Sequence, residues 1–206
     1  MTAETNWLKW AIRLQALAQT GLAYSKDVYD MERFEEIRQI AAEMLLEPSG
    51  LPLKRVEELF CNESGYQTPK LDTRAAIIED HKILLVQERD GLWSLPGGWC
   101  DVDQSTMDNT IKEVREEAGL DVEVMRLVAV LDKTKSNPSR SAHHVTKLFY
   151  LCRSLGGQFQ ANSETIASAY FALDDLPALA LMKNTADQIA LCFEAHQAEH
   201  WETRFE

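Results

Sequence analysis

Glycine, proline and cysteine are scarce in this chain of 206 residues, at nine, six and four, and no stretch is purely apolar over the length of a membrane span. That excludes collagen-like and membrane-spanning classes, and the 45% hydrophobic and 26% charged fractions exclude a disordered chain. Positive charge is also short. Lys and Arg number 21 against 33 Asp and Glu, a net charge of −12, with no Lys/Arg run. Such a surplus repels the phosphate backbone and argues against duplex nucleic acid as a partner. The four cysteines, Cys61, Cys100, Cys152 and Cys192, stand singly, as reduced, packed thiols do rather than a disulfide framework or a zinc knuckle. Lys9 and Arg13 interrupt the apolar residues of the N-terminal stretch, which therefore reads as neither signal peptide nor membrane span. We expect a cytoplasmic protein with no membrane partner.

A prior of roughly 150 residues per domain leaves room for one large domain and a small extension. Trp7, Ala11, Leu14 and Ala18 recur at the spacing of one helix face, with Gly21 expected to end that helix. A second helix is predicted from about Asp27 to Leu46, with Phe34, Ile37, Ala41 and Met44 on one stripe, stopped by Glu47-Pro48-Ser49-Gly50. A third lies near Leu53 to Phe60. We therefore place a helical domain at residues 1–66 and a second domain at 67–206. In the second, Arg74 to Ile78 and Lys82 to Val86 flank a tight Asp80-His81 turn, as a hairpin does. Val122 to Leu131, Val145 to Cys152 and Ala169 to Leu173 are further strands. Helices are expected over Thr106 to Ala118 and over Ala186 to Ala198, the latter opened by Thr185 and Gln188 at capping-box spacing. Strands and helices in this mixture predict an α/β or α+β sandwich.

The chemistry concentrates in Leu95-Pro96-Gly97-Gly98-Trp99-Cys100-Asp101 and the helix that follows, through Lys112-Glu113-Val114-Arg115-Glu116-Glu117-Ala118-Gly119-Leu120. At roughly 100° per residue, Glu113, Glu116 and Glu117 fall within about 100° of one another. Met107, Ile111, Val114 and Ala118 lie nearly opposite, as a buried face would. Like charges this close repel unless a cation sits between them. Hard oxygen ligands with open positions suit Mg²⁺ or Mn²⁺, and such an ion recruits phosphate groups. Ser105 with Asp108 would cap the helix start and Gly119 its end.

These residues resemble the Nudix hydrolase signature, in which Gly98, Glu113, Val114, Glu116, Glu117, Gly119 and Leu120 match at the required spacing. Gln104 stands where the family has Glu, and Lys112 where it has Arg; a Gln–Lys pair can still hydrogen-bond but lacks the bidentate fork of Arg. The resemblance implies an α/β/α sandwich with a mixed sheet, preceded here by a small all-α N-terminal domain. It implies that Glu113 and Glu117 coordinate Mg²⁺ or Mn²⁺, that Glu116 ligates a metal or takes a proton from water, and that the Gly97 carbonyl adds a ligand. It also implies hydrolysis of a nucleoside diphosphate linked to a group X. With its helical leader the chain looks like a bacterial subgroup with CDP-choline or ADP-ribose pyrophosphatase activities.

Other residues carry two readings. Glu164 lies where some family members place a catalytic base, or is a solvated loop residue. Arg74 and Arg89 are candidate phosphate contacts, or structural ion-pair partners. Trp93 or Trp99 could stack on a base, although an aromatic beside a hairpin more often packs in the core. His143-His144 read as loop residues. His196-Gln197-Ala198-Glu199-His200 spells an inverted zinc-peptidase pattern but reads as a solvated helix end. Residues 1–66 hold seven Lys and Arg against eleven Asp and Glu, which disfavours DNA. About 60 residues bury little core alone, so Trp7, Trp10, Leu14, Leu17 and Phe34 suggest homodimerisation. Competing functions are a Nudix enzyme acting on nucleoside triphosphates or RNA ends, and a nucleotide sensor without catalysis.

Overall fold

The computed structural model describes residues 3–46, 52–137 and 144–206, with backbone alone at 3–6 and 59. The chain divides into two compact units, one up to Pro69 and one from Lys70 onward.

The first unit is helical: α1 (Ala3–Tyr24), α2 (Val28–Glu43) and α3 (Leu53–Phe60). Its core joins Ala11, Ala41, Ala42, Leu45, Val56, Phe60 and Cys61. Asp27 caps α2 by accepting from the amides of Tyr29 and Asp30. Gly21 does not end α1, contrary to expectation. It sits inside the helix because a Cβ there would run into the Phe34 ring of α2, so a glycine that looked like a stop is a close-packing position. The stretch Glu47 to Gly50 lies outside the described residues.

The second unit is built on a mixed sheet of β1 (Lys70–Glu79), β2 (Lys82–Glu88), β3 (Trp93–Ser94), β4 (Leu120–Asp132), β5 (Val145–Gly157), β6 (Thr165–Phe171) and β7 (Arg204–Phe205). The strand order is β3-β2-β1-β5-β4-β7, with β6 also paired to β2. β1 runs parallel to β5 and antiparallel to β2. Asp80 and His81 both take positive φ, 47° and 61°, the geometry that a two-residue hairpin turn demands.

Alternate residues of β1 serve opposite cores. Ala75 and Ile77 pack with Val114 and Ala118 of α4 (Thr106–Ala118), while Ala76 and Ile78 pack with Ile189, Cys192 and Phe193 of α6 (Ala186–Gln197). This is the α/β/α sandwich the sequence implied. The capping box of Thr185 and Gln188 is present. All four cysteines are free thiols. Three short elements escaped the sequence reading: β3, β7 and α5 (Lys133–Ser136). Among the described residues no helix is long and apolar enough to cross a membrane.

Candidate active site

The loop from Pro96 to Cys100 runs against β1. Ala75 donates its amide to the Pro96 carbonyl, Thr73 donates to Gly98, and Cys100 donates to Leu71, each at 2.9 Å. Gly97 holds φ 140°, and a Cβ there would overlap the Thr73 carbonyl oxygen. A Cβ on Gly98 would stand 2.7 Å from Glu113 Oε2, so Gly97 lets the loop close on β1 and Gly98 lets it close on α4.

α4 begins with Ser105, which accepts from the Asp108 amide, and ends at Gly119 in the left-handed region at φ 68°. Its buried residues are Asn109, Thr110, Val114, Glu117 and Ala118. Met107, expected on the buried face, is exposed. Asn109 is buried in this turn instead, donating to Thr73 Oγ1 at 2.9 Å.

One cavity of about 520 Å³ gathers Asp72, Arg74, Gly97, Gly98, Trp99, Asp101, Lys112, Glu113, Glu116, Glu117, Lys133, Lys147, Glu164 and Lys183 on its wall. Glu117 is 5% exposed and accepts the Gly97 amide at 2.8 Å. Burial pushes its carboxyl up to about 7, with further upward pressure from Glu113 and Glu164. Glu113 is raised as well, chiefly by burial, against the pull of Lys112. Lys112 reaches Asp101 Oδ2 at 2.6 Å and Glu113 Oε1 at 3.2 Å. The expected Gln104–Lys112 pair is therefore replaced by Asp101–Lys112, because the Asp101 carboxylate offers charge as well as an acceptor.

Asn162, Thr165 and Arg89 fix the Glu164 loop. Asn162 donates Nδ2 to the Glu116 carbonyl and its Oδ1 accepts from Glu164 and Thr165. Arg89 donates Nε to the Ser163 carbonyl at 2.9 Å, which braces the loop, and it does not line the cavity. Arg74 is on the wall, but Asp72 clamps it bidentately, at 2.8 Å and 2.6 Å. Trp93 packs edge-on against Phe171 at 4.8 Å, a core position, while Trp99 is exposed on the wall.

His196 and His200 are exposed at the end of α6, and His143 lies outside the described residues. Among the described residues no three His, Cys, Asp or Glu side chains already form a metal cage. The α4 carboxylates share a wall without closing a coordination sphere.

Asp72, Lys133, Lys147 and Lys183 were missed in the sequence. Lys147 could have been found: Val145, Lys147, Phe149 and Leu151 alternate on one face of β5, and all four are buried. A lysine in that register is out of place in an ordinary core.

Residues 69–192 match the NUDIX domain family, and residues 5–60 match the family described as the UDP-X-like, N-terminal oligomerisation domain. YjhB of Bacillus subtilis, provisionally named an ADP-ribose pyrophosphatase, is 43% identical over 93% of this chain and 92% of its own. The chain belongs to the Nudix hydrolase family. Two solved Nudix neighbours are similar to it. An ADP-ribose pyrophosphatase from Streptococcus suis is 70% identical, covering 68% of this chain and 100% of its own, with a TM-score of 0.64. A UDP-X diphosphatase is 37% identical over 97% of this chain and 98% of its own, also at 0.64. The Nudix signature thus falls on α4 and the Gly97-Gly98 loop, which together form one wall of the cavity.

Proposed function

We propose that this Nudix hydrolase cleaves the diphosphate of a nucleoside diphosphate linked to a group X, with Mg²⁺ or Mn²⁺, giving a nucleoside monophosphate and phosphorylated X. The observation that carries the reading is Glu117, buried and anchored by Gly97 on the same wall as Glu113, Glu116 and Glu164. Four carboxylates gathered there, one raised to about 7, fit a hard dication better than they fit each other. ADP-ribose and UDP-X lead as substrates because they are named for the similar proteins; CDP-choline rests on the sequence resemblance alone.

In this reading Glu113, Glu117 and the Gly97 carbonyl hold the ion, and Glu116 joins them or takes the water proton. A dication held by these residues would neutralise diphosphate oxygens and would lower the pKa of the attacking water. The Gly97 amide keeps Glu117 turned to the cavity, and Lys112 braces Glu113. Glu164, on its pinned loop, is the second candidate base. Trp99 offers an exposed ring to a nucleobase. The helical unit serves homodimerisation, and the enzyme acts in the cytoplasm.

A panel of nucleoside diphosphate derivatives with Mg²⁺ or Mn²⁺, scored by phosphate released after phosphatase treatment, tests the reading. Inorganic pyrophosphate among the products would move it to the triphosphate alternative. Glu117→Gln should lose at least about 100-fold in rate, and full turnover by that variant would overturn the assignment.

A further inference from the structure

The cavity has a second wall of opposite sign. Lys147 is 1% exposed, yet among the described residues its ammonium meets only backbone carbonyls, those of Met182 and Lys183. Lysine is almost never buried this deeply without an anion. Its register partner on β1 is Asp72, the one carboxylate placed to neutralise it, and Arg74 already holds both oxygens of that group. Lys133, at the start of α5, lines the same cavity, and among the described residues no carboxylate lies within ion-pair reach of it. Lys183 completes the wall and is paired with Glu88.

The charges can be balanced pair by pair. Arg74 cancels Asp72, and Lys183 cancels Glu88, which leaves Lys133 and Lys147 as two ammonium groups with no counter-charge of their own among the described residues of this wall. Their ordinary pKa values are pulled down, chiefly by burial, as expected where a compensating anion is missing. A dianionic group supplies what is lacking. Three ammonium donors with rotatable N–H bonds suit a phosphoryl group, whose oxygens accept from several directions.

We infer that Lys133, Lys147 and Lys183 form a phosphoryl subsite facing the α4 carboxylates, which receives the phosphoryl group of the substrate remote from the metal. This rests on the hydrolase reading above and deepens it. The two walls demand a ligand with two phosphoryl groups in one cavity: one neutralised from the glutamate side, one by lysines. A nucleoside monophosphate engages one wall only.

The test uses the full chain stripped of metal with EDTA and titrated with inorganic phosphate, a single phosphoryl group that needs the lysine wall alone, followed by calorimetry and by the shift in melting temperature. Wild-type protein should bind, and Lys147→Met and Lys133→Met should each weaken affinity by at least about tenfold, the loss of one charge-assisted contact. Glu117→Gln should bind phosphate no more weakly than wild type while failing to hydrolyse substrate. If Lys147 serves only to hold the Met182–Lys183 backbone, its variant will melt earlier but keep the wild-type phosphate affinity, which overturns the proposal. Absence of binding by the wild type overturns it too. Should Lys147→Met fail to fold, Lys133→Met and Lys183→Met decide the matter. Retained hydrolysis by Glu117→Gln would remove the metal-site reading and leave the lysine subsite standing, so the two failures are distinct.

Discussion

Thr165 donates its Oγ1 to the backbone carbonyl of Glu117 at 2.8 Å, with both groups buried. Glu117 is in the last turn of α4, where carbonyls have no partner within the helix. One residue earlier, the Glu116 carbonyl is met by Asn162 at 2.8 Å. The loop bearing Glu164 is therefore also the C-terminal cap of the helix that carries the other carboxylates, and these two side chains tie the one to the other.

Thr165→Val keeps the shape and removes the donor. It leaves a buried carbonyl unsatisfied, and we expect a loss of about 1–3 kcal/mol in denaturant unfolding. Asn162→Ala, at an exposed position, should cost less stability but slow hydrolysis by freeing Glu164. Equal losses of stability from the two variants, with hydrolysis untouched, would show that the cap does not position the site.

The pH dependence of the metal-free protein follows from two groups of opposite sign. Burial raises the Glu117 carboxyl from 4.5 to about 7. A raised folded-state value means full stability below 4.5, lost as pH climbs through about 7, on the order of 3 kcal/mol. Lys147 is lowered from 10.5 to about 7, so its contribution is present above 10.5 and lost as pH falls through about 7. Melting temperature in EDTA should therefore pass through a minimum near neutrality. Glu117→Gln should flatten the acid limb and Lys147→Met the alkaline limb, and saturating Mg²⁺ should raise the curve most at pH 8. A curve that rises from pH 5 to 7 in EDTA contradicts the burial of Glu117.

Much of this architecture was legible beforehand, for physical reasons that differ by element. α4 was read to the residue because Ser105 and Gly119 are chemical punctuation at its two ends. The hairpin was read because Asp80-His81 sits between two apolar runs. Gly21 misled because a glycine that admits a neighbouring ring looks, in one dimension, like one that ends a helix. The site was half legible. Its carboxylates are local and periodic, whereas Asp72, Lys133, Lys147 and Lys183 come together only through the β1–β5 register and the loop before α6. Arg89 pairs with Ser163, 74 residues away, a partnership no local pattern displays.

Of the five apolar side chains that suggested a dimer, Trp7 and Leu14 pack on the helical unit's own core and Phe34 packs on Gly21. Trp10 and Leu17 remain exposed, at 56% and 61%. Large apolar groups left open on α1 are where a second copy gains most by burial. Trp10→Asp with Leu17→Asp should shift light scattering at micromolar concentration from a dimeric to a monomeric mass, with helical content retained. A wild-type monomer, or a variant that stays dimeric, removes α1 as the interface.

Gly97 offers the sharpest test of whether the loop or the helix positions Glu117. At φ 140° no L side chain is comfortable, and a methyl group would drive into the Thr73 carbonyl, so Gly97→Ala must move the loop off β1. That movement withdraws the Gly97 amide from Glu117 and adds a strain of about 1–3 kcal/mol. Hydrolysis should fall by at least about tenfold, because a carboxylate without its anchor no longer holds one geometry. Gly98→Ala provides the contrast. Its methyl would press on the Glu113 side chain, which can swing aside, so stability should hold while the apparent affinity for Mg²⁺ weakens. Metal titrations of activity on both variants separate the two outcomes, and matching profiles would mean that the loop glycines serve packing alone.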